Sequence, residues 1–505
     1  MMAGMDSPVD QDVLIVGAGL SGIGMAAHLQ MHSPDRSFAL VERRANLGGT
    51  WDLFRYPGIR SDSDMHTLGF VFEPWRHEKS IADGPSILEY LNRIVDERGI
   101  REHIRFNNKV VGADWDSAAA RWTVTMEDDK GAVSTTTARW LYLGSGYYDY
   151  DEPFDANFTG REDFAGQIIH PQFWPKDFDY SGKKVVVIGS GATAVTIVPS
   201  MADKAAHVTM LQRTPTWYAI RPAKDGFANF LRKILPEKTA YRLTRSKNIR
   251  LQDIVFRRAR EKPEKVADFL TKKLKQALGD RYDPVAFTPP YNPWDQRLCL
   301  VPDADFFEAM KAGKASVVTD HIERFDKTGI QLKSGQHLDA DVIITATGLK
   351  LAVAGKIPVR VDGEPVAWNE HFYYKACMFS NVPNFSVVFG YLNASWTLRA
   401  DIVSEYVCRV LNHMRDTGTT VATPLLADPT SLTEENIFDF SSGYIQRALH
   451  IMPKNADKLP WRLSQNYVQD RIDMRTGPVD DGVLKFGKAA SVSKEASAPA
   501  LEAAE

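Results

Sequence analysis

Short apolar runs that end at glycine or threonine recur along the chain, and longer segments of mixed polarity separate them. The runs at residues 13–16, 185–188 and 342–344 are each shorter than ten residues, which is too short to cross a membrane. Uninterrupted apolar runs of this length are typical of strands that are buried on both faces of a parallel sheet. The pattern therefore predicts an α/β fold.

Residues 12–42 have the pattern of a βαβ unit, in which a strand leads into a glycine-rich turn and a helix, and a second strand ends at Glu42. In such a turn Gly17 permits the sharp bend, Gly19 lets a pyrophosphate approach the backbone, and Gly22 lets the helix pack closely on the strand. Phosphate oxygens would bind the amides at the helix N-terminus, and Glu42 would bind ribose hydroxyls. Because a carboxylate here repels a 2′-phosphate, this first site is predicted to bind FAD.

Residues 183–213 repeat this pattern with a GxGxxA turn. The residues of this turn are Gly189, Ser190, Gly191, Ala192, Thr193 and Ala194. The strand that follows the helix ends at Gln212 and continues into Arg213 and Thr214, so it carries no acid at the position of Glu42. Because Arg213 can pair with a 2′-phosphate, the second site is predicted to bind NADPH.

The two halves also end alike, with a strand and glycine segment at 140–146 and at 341–348. This pseudo-repeat predicts two Rossmann-like dinucleotide-binding domains, for FAD and NADPH, with the second inserted into the first and itself carrying a helical, basic insertion. The predicted boundaries are 1–150 for the first part of the FAD domain, 151–225 for a linker and the first part of the NADPH domain, 226–290 for the helical insertion, 291–348 for the second part of the NADPH domain, 349–488 for the second part of the FAD domain, and 489–505 for a loose tail.

The composition narrows the class of protein. Among 505 residues, Lys and Arg total 61 and Asp and Glu total 64, a net charge of -3, which argues against a nucleic-acid partner. Three cysteines without a CxxC pair exclude a disulfide framework, a multi-cysteine zinc site and a dithiol reductase. No metal site is predicted. The first residues carry acids and no basic region, so we expect no secretory signal and a cytoplasmic protein.

A flavin site and a nicotinamide site on one chain imply hydride transfer from nicotinamide to flavin. Because no dithiol is available, molecular oxygen is the predicted acceptor of the electrons. Three further segments favour oxygen chemistry, namely GGTWDLFRYPGIRSD at 48–62, FAGQIIHPQFWP at 164–175 and YNPWDQR at 291–297.

Two of these segments carry the motifs of a known family. Phe164, Gly166, His170 and Trp174 match the pattern FxGxxxHxxxWP, the fingerprint of type I Baeyer–Villiger monooxygenases, and residues 48–62 match that family's GGxWxxxxYPGxxxD segment. From about residue 10 to 488 the chain resembles this family, and it looks closest to the ethionamide-activating monooxygenase branch.

The resemblance implies roles for individual residues. Arg297 resembles the active-site arginine that stabilises the flavin peroxide anion, and Asp62 resembles its carboxylate partner and a cofactor contact. His170 and Trp174 resemble residues that couple motion between the domains. The other implied cofactor contacts are Ser21 in the first turn, Thr50, Trp51, Asp52 and Leu53 beside the flavin, Val110 beside the adenine, and Arg213 and Thr214 at the 2′-phosphate.

The implied function is an FAD-containing, NADPH- and oxygen-dependent monooxygenase that converts ketones to esters or lactones through a C4a-peroxyflavin and also oxidises sulfides or thioamides. One alternative is a heteroatom-oxidising flavin monooxygenase, in which the fingerprint usually lacks the Trp174–Pro175 pair. A second is a diaphorase or NADPH sensor. Gln296 replaces a lysine that many relatives carry, which leaves the strictness of NADPH preference open.

Two further features of the sequence are the residue Trp396 and the basic residues of the helical insertion. Trp396 lines the cofactor pocket or packs in the core, and the sequence does not separate these alternatives. The basic residues of the insertion are expected to form a solvated helical face. Membrane-surface association is not predicted, because no sustained amphipathic period with aromatic residues is visible.

Overall fold

The structure, a computed structural model, describes residues 9–489. The predicted loose tail, 489–505, lies outside the described residues apart from its first position. The elements of the first third of the chain are β1 (Gln11–Val16), α1 (Leu20–His32), β2 (Phe38–Val41), α2 (Thr50–Leu53), α3 (Met65–Leu68), α4 (Gly84–Glu97), β3 (Ile104–Arg105), β4 (Asn108–Asp116), β5 (Arg121–Asp128), β6 (Val133–Leu143) and β7 (Tyr148–Pro153).

The middle of the chain holds two groups of strands separated by helices. Its elements are β8 (Gln167–Ile169), β9 (Lys184–Ile188), α5 (Ala192–Met201), β10 (His207–Gln212), β11 (Tyr218–Arg221), α6 (Gly226–Ile234), α7 (Glu237–Glu261), α8 (Pro263–Leu278), α9 (Pro284–Phe287), β12 (Cys299–Pro302), α10 (Asp305–Lys311), β13 (Ala315–Thr319), β14 (Ile322–Asp326), β15 (Gly329–Leu332), β16 (His337–Asp339), β17 (Val342–Thr345) and β18 (Leu349–Leu351).

The last part of the chain is dominated by one long helix, α11. Its elements are β19 (Val359–Val361), β20 (Glu364–Pro365), β21 (Tyr373–Tyr374), β22 (Met378–Phe379), β23 (Phe385–Val387), α11 (Trp396–Thr417), β24 (Val421–Pro424), β25 (Glu434–Glu435), α12 (Gly443–Gln446), β26 (Asn455–Ala456), α13 (Tyr467–Thr476) and β27 (Leu484–Gly487). Within residues 9–489, no helix is both long and apolar enough to cross a membrane.

The first sheet has nine strands and contains the apolar run at 13–16. Strand β1 pairs in parallel with β2 on one side and β6 on the other, with Val13 opposite Phe38 and Trp140. Side chains from Val13 to Ile15 are completely buried, as expected for a strand covered on both faces. Strand β23 also pairs in parallel with β6, so the chain returns to this sheet after the second nucleotide-binding unit.

The second sheet has five parallel strands in the order β13–β10–β9–β17–β8. Strand β9 is central and pairs with β10 and β17. The helices α6 to α9 lie between β11 and β12, which pair with each other. The predicted fold class, an α/β fold with two Rossmann-like domains, is confirmed.

A buried ion pair fixes the helical segment against the first sheet's helices. Arg245 of α7 donates from Nη2 to Oδ2 of Asp401 in α11 at 3.1 Å. The same carboxylate accepts from the amide of Val71 at 3.1 Å and from Nε2 of His28 in α1 at 3.1 Å. The side chains of Arg245 and Asp401 are only 6% and 2% exposed, so both charges depend on these partners for solvation.

We expect Asp401→Ala to destabilise the protein by about 3–5 kcal/mol, because the change leaves the Arg245 guanidinium buried without its counter-ion. The measurement is the thermal unfolding midpoint by calorimetry. Asp416→Ala is the matched control, since Asp416 is an exposed acid of the same helix that pairs with Arg415, and its loss should cost less than about 1 kcal/mol. Equal shifts in the two variants would contradict the assignment.

Candidate active site

A cavity of about 1140 Å³ lies where the two nucleotide-binding units and the helical segment meet. Its wall includes the first glycine-rich turn, Ala192 and Thr193 of the second turn, part of the segment at 48–62, and one face each of α7 and α8. Of the residues predicted as site residues, those that line it are Gly17, Gly19, Ser21, Glu42, Thr50, Trp51, Asp62, Val110, Ala192, Thr193 and Arg297.

The first glycine turn is shaped by backbone contacts that leave no room for a side chain. Gly17 has a φ of +97°, a conformation that L side chains rarely adopt. A Cβ on Gly22 would lie 1.8 Å from the carbonyl oxygen of Gly17. Helix α1 begins at Leu20, and its N-cap, Gly19, makes no side-chain capping bond. The first amides of α1 are therefore available to an anion such as a pyrophosphate.

Glu42 follows strand β2 and is held in a fixed orientation. Its Oε2 accepts a hydrogen bond from the amide of Ala18 at 2.8 Å, and its Oε1 accepts from the amide of Arg44 at 2.9 Å. Burial raises the pKa of Glu42, and these two backbone donors oppose that rise. The carboxylate thus lies at the cavity wall beside the first turn, where it can bind the hydroxyls of a ribose. Val110 is buried in the same wall.

The second turn has the same geometry, but less of it lines the cavity. Gly189 has a φ of +133°, and a Cβ there would lie 2.3 Å from the carbonyl oxygen of Ala346. Ser190 Oγ donates to the carbonyl oxygen of Thr214 at 3.0 Å, which ties the turn to the end of β10. Arg213 is exposed beside it. Ala194 is buried under the turn.

Open space lies above the second turn. A Cβ on Gly191 would meet no atom within 4 Å, and Gly191 caps α5 without a side-chain bond. Within the described residues, Gly189, Ser190, Gly191, Arg213 and Thr214 are not part of the cavity wall. They border it through their neighbours Ala192 and Thr193.

Arg297 carries the positive charge of the cavity at the junction of the units. Burial alone would lower the pKa of Arg297, but the neighbouring Tyr444, Tyr147 and Tyr148 and the Asp62 carboxylate raise it above its ordinary value. The guanidinium is therefore charged at every pH at which the protein is folded. Its Nε atom is buried and has no hydrogen-bond partner within residues 9–489.

Asp62 lines the same cavity as Arg297 but does not bind it directly. In the part of the chain that the structure describes, no ion pair or hydrogen bond joins the two side chains. Withdrawal from solvent raises the pKa of Asp62, and the positive charges of Arg297 and Arg60 oppose that rise. Arg60 itself pairs with Asp305. Asp62 thus influences Arg297 through the electrostatic field rather than through contact.

The segment at 48–62 divides its residues between the cavity and the core. Thr50 and Trp51 line the cavity. Asp52 is 2% exposed, and its carboxylate accepts from Arg44 Nη2 at 2.7 Å and pairs with Arg55. Within residues 9–489, neither Asp52 nor Leu53 belongs to the cavity wall. The carboxylate of Asp52 is therefore already paired and holds the segment in place.

The fingerprint residues lie away from the cavity, at the connection between the two units. His170 Nδ1 accepts from the amide of Gln172 at 3.2 Å, so its protonated Nε2 donates to the carbonyl oxygen of Gly348 at 3.3 Å. Burial lowers the pKa of His170, and the hydrogen bond to Gly348 opposes that shift. A Cβ on Gly166 would lie 2.3 Å from the carbonyl oxygen of Asp341. Phe164 is buried, and Trp174 packs edge-on against Phe178.

The structure settles the alternatives for Trp396, which both packs and lines the cavity. Its Nε1 donates to Ser21 Oγ at 2.8 Å, and its ring stacks on Tyr147 with centroids 5.0 Å apart. Tyr147, Tyr148 and Tyr444 were not predicted as site residues, although all three surround Arg297. Tyr147 and Tyr148 follow the glycine segment at 144–146, which is the signal in the sequence that places them after β6, where β7 begins.

The chain resembles known proteins in both sequence and fold. A family model described as pyridine nucleotide-disulphide oxidoreductase matches residues 14–247. The chain is 51% identical over 480 residues to the FAD-containing monooxygenase EthA of Mycobacterium tuberculosis, a match that spans 94% of this chain and 98% of that protein. The three cysteines are buried and free, so the disulphide chemistry in the name of the family model has no counterpart among them.

Two solved structures share the fold over nearly the whole chain. Oxidized steroid monooxygenase bound to NADP has a TM-score of 0.75 and 22% identity, covering 95% of this chain and 99% of that one. Cyclohexanone monooxygenase with bound ε-caprolactone, in the conformation called Loose, has a TM-score of 0.75 and 20% identity, covering 94% and 99%.

We expect Gly22→Ala to lower stability by about 1–3 kcal/mol, because the added Cβ meets the Gly17 carbonyl and the turn must shift. The thermal midpoint and the amount of FAD that copurifies per chain measure this effect. Gly112→Ala is the matched control, since a Cβ on Gly112 of β4 meets no atom within 4 Å, and it should leave both quantities unchanged. Normal FAD content in Gly22→Ala would contradict the close-packing role.

Proposed function

Because the chain belongs to the family of FAD-containing monooxygenases, we propose that it is an NADPH- and oxygen-dependent Baeyer–Villiger monooxygenase. Its substrates are ketones, which it converts to esters or lactones, and it also oxidises sulfides or thioamides. One observation carries the proposal: a permanently charged arginine without a contacting carboxylate lies in a cavity that borders both dinucleotide turns. The ε-caprolactone bound to cyclohexanone monooxygenase is a lactone and supports the product class.

The first turn and its surroundings would hold FAD. The amides at the start of α1 suit the pyrophosphate, Glu42 suits the ribose hydroxyls, and Val110 would lie beside the adenine. Thr50 and Trp51 line the cavity and would contact the isoalloxazine. When bound and reduced, FAD supplies the electrons that activate oxygen.

The second turn would hold NADPH. The amides at the start of α5 suit its pyrophosphate, and the open space above Gly191 lets that group approach the backbone. Arg213 is exposed at the end of β10 and would pair with the 2′-phosphate, beside Thr214. Gln296 contributes no charge there, so Arg213 carries more of the discrimination against NADH.

Arg297 would act on the ketone itself. Attack on a carbonyl carbon moves negative charge onto the carbonyl oxygen, and a fixed guanidinium stabilises that charge without having to reorganise. Trp51, Tyr147 and Trp396 form an aromatic part of the wall, and removal of water beside this wall would strengthen the interaction. Asp62 offsets the charge of Arg297 from a distance and leaves the guanidinium donors free for the substrate.

The fingerprint residues would transmit domain motion rather than touch reactants, since the hydrogen bond from His170 to Gly348 spans the connection between the units. We also propose that the protein is cytoplasmic, which agrees with three free cysteines.

Incubation with NADPH, air, a cyclic ketone and an alkyl aryl sulfide tests the reaction class. We expect lactone from the ketone, with one NADPH consumed per product molecule, as determined by chromatography and absorbance. Sulfoxide without any lactone would instead identify a heteroatom monooxygenase. NADPH consumption without either product would identify a diaphorase.

We expect Arg297→Ala to lower lactone formation by roughly 100- to 1000-fold, because one preorganised donor is lost. Flavin reduction by NADPH, followed by stopped-flow absorbance, should stay near the wild-type rate, and the consumed oxygen should appear as hydrogen peroxide. Arg297→Lys is the matched control and should restore part of the lactone yield, since it keeps the positive charge. Lactone formation at the wild-type rate in Arg297→Ala would remove this residue from the reaction.

A further inference from the structure

Helix α6 exposes apolar side chains that belong to none of the hydrophobic clusters formed by residues 9–489. Phe227, Phe230 and Ile234 are 44%, 58% and 59% exposed, and their spacing of three and four residues places them on one face of the helix. Ala228 and Leu231 on the adjoining face are buried. The helix is therefore anchored to the protein by one apolar face and presents a second one to solvent.

The exposed face continues onto α7. Leu243 and Ile254 are 49% and 47% exposed and lie about three turns apart, on one side of this helix. Lys247, which lies between them, has its Nζ 4.5 Å from the ring centroid of Phe227, so the exposed sides of α6 and α7 adjoin. We call Phe227, Phe230, Ile234, Leu243 and Ile254 the insertion patch.

The helical segment that carries the insertion patch has a strong positive charge. Between residues 226 and 278 the chain has fifteen lysines and arginines and five acids, although its overall net charge is -3. Lys233, Arg242 and Arg250 are exposed beside the patch residues in sequence. Apolar side chains flanked by basic ones are typical of surfaces that lie on anionic membranes.

The insertion patch is also continuous with the cavity. Leu251 and Val255 flank Ile254 on α7, are themselves exposed, and line the cavity together with Phe269 of α8. A surface that covers the patch would therefore lie next to the apolar side of the cavity opening.

We propose that the insertion patch docks on the surface of an anionic phospholipid bilayer. Its apolar residues enter the interface between headgroups and acyl chains, and the surrounding lysines and arginines pair with lipid phosphates. A symmetric contact between two copies of the chain would oppose like charges, which is unfavourable. The docking does not rest on the proposed function. If both hold, apolar ketones dissolved in the bilayer have a short path to the cavity.

The test is flotation of the full FAD-loaded chain with vesicles. We expect binding to vesicles of phosphatidylglycerol and phosphatidylcholine, little binding to phosphatidylcholine alone, and a decrease with added salt. The double variant Phe230→Ser/Ile234→Ser should bind the anionic vesicles at least about tenfold more weakly. Arg242→Glu/Arg250→Glu should lose at least about tenfold as well, since each basic residue contributes roughly fivefold.

Two double variants with matched chemistry serve as controls. Val133→Ser/Ile472→Ser removes apolar side chains that are 66% and 50% exposed elsewhere, and Lys327→Glu/Lys333→Glu reverses two exposed charges far along the chain. Both should bind like the wild type. All four variants should keep the wild-type circular dichroism and FAD content, which shows that they fold.

Three outcomes would overturn the proposal. They are equal binding to neutral and anionic vesicles, absence of binding to either, and equal losses in the patch variants and the controls. Analytical ultracentrifugation adds a fourth: if Phe230→Ser/Ile234→Ser converts a wild-type dimer to a monomer without changing vesicle binding, the patch is an interface between copies. Activity on a water-soluble ketone reports separately on the proposed function.

Discussion

The buried carboxylate of Asp401 holds together parts of the chain that are far apart in sequence. It accepts hydrogen bonds from α1 through His28, from the loop after α3 through Val71, and from α7 through Arg245. A buried ion pair adds little net stability relative to apolar packing, but it is unfavourable in any arrangement that separates its charges. It therefore selects one position for α7 relative to the first sheet. Because α7 forms one wall of the cavity, the shape of the active site depends on this selection.

The positive charge of Arg297 inside the cavity differs from that of Arg245, because no carboxylate of the described residues is in contact with it. Arg297 has no carboxylate in contact among the described residues, and Asp62 acts on it only through the electrostatic field. A carboxylate in direct contact would accept the hydrogen bonds of the guanidinium and leave fewer donors for a substrate. The surrounding tyrosines and the distant carboxylate keep the charge stable while its donors stay available. Asp52, which is buried outside the cavity wall, shows the contrast: its carboxylate is already paired with Arg44 and Arg55 and holds the segment at 48–62 in place.

Local features of the fold could be predicted from the sequence, whereas contacts between distant segments could not. Both βαβ units and their turns form where predicted, because glycine spacing and apolar runs act over a few residues. Asp62 acts on Arg297 through the electrostatic field and not through contact, and this depends on where two remote segments meet. The same holds for the tyrosines that surround Arg297. The role of Asp52 depends on its pairing with two neighbouring arginines, Arg44 and Arg55. The exposed face of α6 extends over only eight residues, too few to produce a sustained amphipathic period.

Helix α7 combines three environments on different faces, and this explains why a helical insertion of this length is useful to the fold. Arg245 faces the first unit, and Asn248 donates to Asp64 there at 2.9 Å while also lining the cavity. Leu251 and Val255 face the cavity, and Leu243 and Ile254 face outward. With 3.6 residues per turn, Asn248 and Val255 lie on one side of the helix, which lines the cavity, and Leu243 and Ile254 lie on a neighbouring, exposed side. The anchored face fixes the other two, so an apolar cavity wall and an exposed basic surface keep a constant relation to each other. A loop of the same composition would satisfy neither requirement, because its side chains would have no fixed direction relative to Arg297.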